Sequence, residues 1–288
     1  MCVTAQPSAR AVRTIRLVVA RSEQPLITFL SDYGLADPFV GICHGVIASI
    51  CPQARVIDLT HGIPRHDARA GALVLRDALR YTPAGVHLAV VDPDVGAKRR
   101  AVAMTVADGR TLVGPDNGVL WLAAEQGGGV TEAAEISRSP LRLQPVSATF
   151  HGRDIFSPVA AHLAAGTPLA EAGEPYDPDQ LIKLELPRAH VAPGELVAHV
   201  VYVDRFGNVQ LDASHHELSE AGLKLGRGAL LGDGHEAQYV RTFADAAPGE
   251  LIVYEDSARM LAIAVSHGSA AERLGLTIDD ELRISPSR

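Results

Sequence analysis

The chain has 288 residues, of which 47% are hydrophobic and 21% charged, and its mean hydropathy is +0.10. That composition excludes disorder, collagen-like repeats and a disulfide-stapled miniprotein, and it allows one large domain or two ordinary ones. A formal net charge of −8 argues against a phosphate-tracking basic surface, hence against nucleic acid as partner, and no apolar run approaches the ~20 residues that cross a bilayer.

The first 24 residues carry Arg10, Arg13, Arg16 and Arg21 with no acid before Glu23, and Ile15 to Val19 is too short for a signal-peptide core. We expect a dispensable N-terminal extension over residues 1–24 and a cytoplasmic protein. Three cysteines, Cys2, Cys43 and Cys51, show no CxxC spacing, which fits a reducing compartment.

From Leu26 short apolar runs alternate with amphipathic stretches, the pattern of an α/β domain. Leu26 to Leu30 predicts a buried strand that stops at Ser31-Asp32-Tyr33-Gly34. Val56 to Leu59 predicts a second, ending in Thr60-His61-Gly62. Asp67 caps a helix expected over 68–81, stopped by Pro83. Val86 to Val91 is a third strand, ending on Asp92-Pro93. Val102 to Val106 and Thr111 to Val113 read as a strand pair around Asp108-Gly109. Pro115-Asp116-Asn117-Gly118 is a turn before a short helix from Val119, and Gly127-Gly128-Gly129 reads as a flexible loop. His151-Gly152-Arg153-Asp154 opens a helix over 155–165 that Gly166 closes.

After Pro187 the pattern changes. Glu195 to Asp204 alternates, Phe206-Gly207-Asn208 turns, Val209 to Asp212 resumes, and Leu251 to Val265 supplies two more strands. The expected organisation is an N-terminal α/β domain over 25–187 and a smaller C-terminal β domain over 194–286.

Open α/β sheets bind ligands beyond the carboxyl ends of their strands. Asp32, Thr60-His61 and Asp92 all follow strands, so a parallel sheet delivers them to one crevice. Asp92 is followed by a turn that returns Arg99 toward it, either as a loop-fixing ion pair or as site chemistry. His151 precedes a helix N-terminus, where free N–H groups favour anions and polarised oxygens. Asp154 is read as a dipole-compensating residue. Asp204, Phe206 and Asn208 share one turn, as a plain hairpin or as a purine contact. No HxxxH, HxH or EF-hand spacing occurs, which argues against a metal enzyme.

Taken in order, Ser31-Asp32-Tyr33-Gly34 with Asp37, Asp58-Leu59-Thr60-His61, Val90-Val91-Asp92-Pro93, Pro115-Asp116-Asn117-Gly118, Thr149 to Asp154 and Asp204 to Asn208 resemble the S-adenosylmethionine (SAM) hydroxide adenosyltransferases, adenosine-forming SAM hydrolases related to the fluorinase and chlorinase. The resemblance implies an N-terminal α/β (Rossmann-like) catalytic domain, a smaller C-terminal β-barrel-like domain, and a homotrimer with sites between the large domain of one subunit and the small domain of the next. It implies a catalytic set of Asp92, Arg99 and His151. Asp32 and Asp37 would contact the ribose side of SAM, Phe206 and Asn208 the adenine, and Asp204 with Ser257 the methionine end. It implies SAM as substrate, adenosine and L-methionine as products, and no metal or other cofactor.

The halogenating relatives resemble this chain in fold but carry Tyr in place of Asp92, Thr in place of Val95 and a Tyr-Ser pair in place of His151-Gly152. A halide beside the Asp92 carboxylate would be repelled, whereas water would not. Two positions depart from the family pattern: Asp94 and Arg259 stand where glycine is usual. The readings carried forward are SAM hydrolysis, halide-dependent adenosyl transfer, and a SAM or adenosine sensor without turnover.

Overall fold

The computed structural model describes residues 24–287; the extension expected over 1–24 therefore falls outside the described residues except for Gln24. The first sheet has seven strands: β1 (Leu26–Ser31), β2 (Arg55–Thr60), β3 (Val86–Val90), β4 (Ala101–Val106), β5 (Thr111–Pro115), β6 (Val130–Glu135) and β7 (Glu174–Tyr176). Their order is β2-β1-β3-β5-β4-β6-β7. The first four strands of that order run parallel, and β4, β6 and β7 continue the sheet antiparallel.

Period-2 alternation sends side chains of β1 and β3 to opposite faces. Ile27, Phe29, Leu88 and Val90 pack under α1 (Phe39–Ile50) and the segment ending in α4 (Ser157–Ala164). Leu30, Ala89 and Val91 pack on the other face under α2 (Ala68–Leu79) and α3 (Trp121–Gln126). Burial on both faces explains why β1 and β3 read as unbroken apolar runs. Asp67 caps α2 as expected, accepting the Ala70 N–H at 2.8 Å. Gly127 to Gly129, expected as a flexible loop, instead form a hydrogen-bonded turn. Gly128 and Gly129 donate to Glu125 and Ala124, and Gly127 and Gly129 accept from Asp108 and Ala107. After α4 comes a short α5 (Leu169–Ala172).

The second sheet is built from β8 (His190–Ala192), β9 (Glu195–Val203), β10 (Val209–Leu211), β11 (Gly228–Leu231), β12 (His235–Tyr239), β13 (Leu251–Glu255), β14 (Leu261–Val265) and β15 (Glu281–Pro286). Its order, β10-β14-β13-β12-β11-β15-β9-β8, closes on itself through a β10–β9 pairing, so seven strands form a barrel with β8 appended. Leu196, Val200, Leu211, Leu231, Val253 and Ile263 are among the side chains filling it. Two short helices, α6 (His215–Glu220) and α7 (Ala270–Leu274), pack against this core through Leu218 and Ala270. The barrel packs on α2 and α3 through Leu73, Leu122 and Val201, and Arg80 donates to the Ala258 carbonyl at 3.1 Å. Among the described residues no helix is long and apolar enough to cross a membrane.

Candidate active site

Because β2, β1 and β3 are parallel, Asp32, His61 and Asp92 follow strands that end on one edge, as the sequence implied. The Asp32 carboxylate accepts the His66 N–H at 3.0 Å, which folds the segment after β2 over the end of β1. Asp37 is exposed in the loop before α1. Between them, Tyr33 packs edge-on against Phe150, with ring centroids 5.9 Å apart, and also meets Phe39. Burial pushes the Tyr33 hydroxyl well above its usual range, with smaller contributions from Cys43, Asp32 and Asp92, so the phenol stays protonated.

Pro93 to Gly96 do reverse the chain: Ala97 donates to the Asp94 carbonyl at 3.0 Å. Gly96 adopts φ +80°, and a Cβ there would lie 2.4 Å from the Ala148 carbonyl oxygen, so this turn can nest against the segment leading to His151 only as glycine. Asp94 is not among the residues with positive φ, so its backbone does not demand the family's glycine. Arg259 does adopt φ +69°, which accounts for the preference for glycine there.

The turn delivers Arg99 onto Asp92. Nε donates to one carboxylate oxygen at 2.7 Å and Nη2 to the other, a bidentate pair. Both side chains are buried, Asp92 5% and Arg99 7% exposed. Arg99 also lies over the Phe156 ring, 5.1 Å from its centroid. The same Nη2 lies 2.9 Å from His151 Nδ1. Guanidinium has no acceptor, so Nδ1 accepts; the imidazole is then neutral with its proton on Nε2. Burial, and secondarily the Arg99 charge, hold His151 below its ordinary pKa, in agreement with that state.

His151 does not open an ordinary helix. Gly152–Phe156 form one π-helical turn that leads into α4. Such turns recur at functional sites because they redirect side chains within a helix. A Cβ on Gly152 would fall 2.1 Å from the Tyr33 hydroxyl oxygen, so the missing side chain is what admits Tyr33 beside His151. Asp154, expected to compensate the helix dipole, does lie in the first turn, and it has a second role. It is buried, accepts the Ser147 N–H at 2.8 Å and pairs with Arg153 at 2.6 Å, holding the 147–151 loop onto the helix.

The Pro115-Asp116-Asn117-Gly118 turn also positions the edge. Asn117 donates to the Val91 carbonyl at 2.8 Å, immediately before Asp92. Buried Asp116 accepts the Ile182 N–H at 2.9 Å, and its burial raises its pKa. Tyr33 and Asn117 belonged to motifs seen in the sequence, but their roles depend on contacts that spacing does not reveal.

The barrel residues gather elsewhere. Asp204 accepts the backbone N–H groups of Phe206 and Asn208 at 2.8 and 3.0 Å and the Asn208 side-chain amide at 2.8 Å. Phe206 is 64% exposed with Arg205 stacked on it, an uncommon setting for so large an apolar ring. Asp204, Asn208 and exposed Ser257 line a cleft of about 590 Å³ between the barrel and α2, with Tyr81, Tyr202 and Tyr254. Phe206 lines an adjoining groove of about 560 Å³ with Asp204, Asn208, Phe243 and Tyr254. Neither is lined by Asp92, Arg99, His151, Asp32 or Asp37. The structure thus joins Asp92, Arg99 and His151 directly, sets Asp32 near them across Tyr33, and gathers Asp204, Phe206, Asn208 and Ser257 separately on the barrel, while among the described residues no hydrogen bond or ion pair joins Asp37 to either group. A third cluster, His44, Asp58 and His61, has metal-ligand character; Asp58 and His61 share a motif, but local spacing does not reveal His44 beside them.

The SAM hydroxide adenosyltransferase N-terminal domain matches residues 27–173, and the C-terminal domain of the same family matches residues 198–283. The (R)-S-adenosyl-L-methionine hydrolase of Salinispora tropica is 51% identical over 91% of this chain and 98% of its own length. The enzyme of that name from Thermus thermophilus is 40% identical over 87% of this chain and 95% of its own length, and a fluorinase from an Actinoplanes species is 30% identical over 83% and 90%. The crystal structure of an uncharacterized conserved protein from Thermotoga maritima superposes with a TM-score of 0.83 at 37% identity, covering 90% of this chain and 99% of that one. The two matched domains and these full-length relatives place the chain in the SAM hydroxide adenosyltransferase family.

Proposed function

We propose that this protein hydrolyses S-adenosyl-L-methionine to adenosine and L-methionine. The observation that carries the reading is the Asp92–Arg99–His151 constellation on the strand edge, with the Asp92–Arg99 pair buried and His151 partly so. The reaction needs a new bond between a water oxygen and ribose C5′ as the C5′–S bond breaks. The sulfonium leaves as a neutral thioether and needs no proton. One proton leaves the attacking water, so the chemistry required of the protein is confined to the nucleophile.

Asp92 is the group that can take that proton or polarise the water, and its negative charge also favours the sulfonium. Arg99 fixes both carboxylate oxygens from behind. His151, neutral with Nε2–H, offers a donor to the water oxygen while its Nδ1 is occupied by Arg99. Positioning alone can account for about 7–11 kcal/mol of barrier reduction. A halide would meet the Asp92 carboxylate, and the hydroxyl carried by the halogenating relatives after residue 151 is replaced by Gly152, whose hydrogen is all that fits beneath Tyr33.

The separation of the two residue groups supports a site shared between subunits, with Asp32, Asp37 and the catalytic set from one chain and Asp204, Phe206, Asn208 and Ser257 from the next. A closed homotrimer completes three such sites by heterologous contacts. The reaction as written uses no metal and no redox cofactor. A cytoplasmic setting suits the buried free thiols Cys43 and Cys51.

The test is purified protein incubated with SAM, products separated, with and without chloride or fluoride. The relatives' names specify the (R) sulfonium epimer, so the two epimers are presented separately. Adenosine and methionine in equal amounts, unaffected by halide, is the expected result. A 5′-halo-adenosine product assigns halide transfer instead, and adenosine retained without turnover assigns a sensor.

A further inference from the structure

We propose that His44, Asp58 and His61 form a binding site for one divalent transition-metal ion of the zinc class, apart from the hydrolytic chemistry. The three residues come from α1, from β2 and from the turn after β2, and their ligand atoms all lie within 4.8 Å of one another. Both imidazoles approach the same carboxylate oxygen. His44 Nε2 is 2.9 Å and His61 Nε2 3.1 Å from Asp58 Oδ1. Tetrahedral zinc with bonds of about 2.0–2.1 Å sets its ligand atoms roughly 3.3 Å apart, close to these two separations, so side-chain adjustment would admit the ion.

The second observation concerns His61. Its side chain is 2% exposed, and its Nε2, though close to Asp58, makes no hydrogen bond. A buried imidazole nitrogen without a hydrogen bond is costly and calls for a reason. Its other nitrogen, Nδ1, is hydrogen-bonded to Ser31 Oγ at 2.8 Å, and that oxygen also accepts the Tyr33 N–H. When Nδ1–H donates to Ser31, Nε2 is left with a lone pair aimed at His44 and Asp58. A second-shell hydrogen bond of this kind is what orients metal-binding histidines.

The Phe29 ring, 4.7 Å from the His61 ring, locks its orientation from below. His44 and Asp58 are about one-third exposed, at 35% and 39%, which leaves an entry path and room for water as a fourth ligand. Two imidazoles with one carboxylate suit zinc and its neighbours, whereas magnesium and calcium prefer all-oxygen sets. An ion there would clip α1 to β2 and, through His61 and Ser31, brace the start of the Asp32–Tyr33 loop. An ordinary ion pair would need only one of the two histidines.

The test uses tag-free, chelator-stripped full-length protein titrated with Zn²⁺ by calorimetry, and with Co²⁺ by its visible spectrum. The expected result is one ion per chain, a rise in melting temperature, and a cobalt spectrum of tetrahedral type. His44→Ala and Asp58→Asn, neither at a buried position, should retain the wild-type far-UV circular dichroism. Each should weaken binding by more than about 100-fold, beyond the 10–100-fold cost of losing a second-shell partner. A His215→Ala/His216→Ala variant on exposed α6 should bind as wild type. Absence of saturable binding, or binding unchanged in His44→Ala, overturns the proposal.

Discussion

Arg99 Nη2 lies 2.9 Å from His151 Nδ1, and because arginine can only donate, this contact fixes the tautomer of the histidine. Protonating His151 would set two donors against each other and break the contact. Burial and then the Arg99 charge already hold the imidazole below its ordinary 6.5. The acid limb of kcat/KM that belongs to His151 should therefore fall below that value. His151→Asn, whose side-chain oxygen can still accept from Arg99, should lose this limb and keep any that arises from the carboxylates. A pH–rate profile of the two proteins decides it; a wild-type limb centred at or above 6.5 counts against the assigned tautomer.

Asp92→Ala should abolish adenosine release and leave SAM binding partly intact. Loss of general-base function costs about 10²–10⁴-fold. The change also leaves Arg99 buried without its counter-charge, a destabilisation of about 3–5 kcal/mol. Activity must therefore be compared with the folded fraction in each preparation. Asp92→Asn keeps the volume and one acceptor for Arg99, and separates loss of the charge from loss of the fold. Turnover at the wild-type rate in either folded variant would remove Asp92 from the mechanism.

Gly152 and Tyr33 make a steric pair. A methyl group at 152 would sit 2.1 Å from the Tyr33 hydroxyl and 3.0 Å from the ring carbon that bears it. Gly152→Ala should cost about 1–3 kcal/mol, as overpacking commonly does, and lower kcat by displacing Tyr33 or the turn that carries His151. Adding Tyr33→Phe removes the worst contact, so the double variant should recover much of the stability loss in denaturant titrations. Strictly additive losses would show that the two residues do not touch.

Much of this architecture is written locally in the sequence. β1 and β3 are unbroken apolar runs because both of their faces are covered, and the Asp92–Arg99 reversal is announced by Pro93 and Gly96. Helix α1 is not announced: it contains Gly41 and Gly45, has no side-chain N-cap and no acid in its first turn. It is held by packing Val40, Cys43 and Ile47 against α4. β12 buries only Ala237 fully and reads as a polar loop until the barrel closes around it. The Tyr33–Gly152 contact and the His44–Asp58 pairing join separate elements, so no local spacing encodes them. In the family resemblance, the ordered motifs carry Asp92 and His151 of the proposed catalytic set, but neither Arg99 nor the π-helical turn that follows His151.

His87 gives the fold a built-in acid sensitivity. It is fully buried in β3, bonded to Thr28 Oγ1 at 2.9 Å, with Nε2 left without a partner. Burial, with a lesser effect of Arg110, pushes its pKa down to about 3. The unfolded chain binds this proton at the ordinary 6.5, so the contribution to stability is complete above that pH and is lost as pH falls toward the folded value. Between about pH 6.5 and pH 5 this amounts to roughly 2 kcal/mol. His87→Gln should flatten the stability–pH curve in that window, whatever its effect at neutral pH. An unchanged slope in urea titrations would place the acid sensitivity elsewhere.

The proposed division of the site between two surfaces can be tested by subunit exchange. Asp92→Asn disables the strand-edge half and Asn208→Ala the barrel half, and each homo-oligomer should be inactive or nearly so. If each site takes its edge from one subunit and its barrel face from the next, subunits exchanged by co-expression will create some sites with both halves intact. Random mixing of equal amounts restores about one quarter of the sites in a closed trimer, because each site samples one subunit at each of two positions. If instead both halves come from the same chain, every site in the mixture carries a lesion and no activity returns. Sedimentation of the mixed assembly, measured beside its turnover, distinguishes failed complementation from failed exchange.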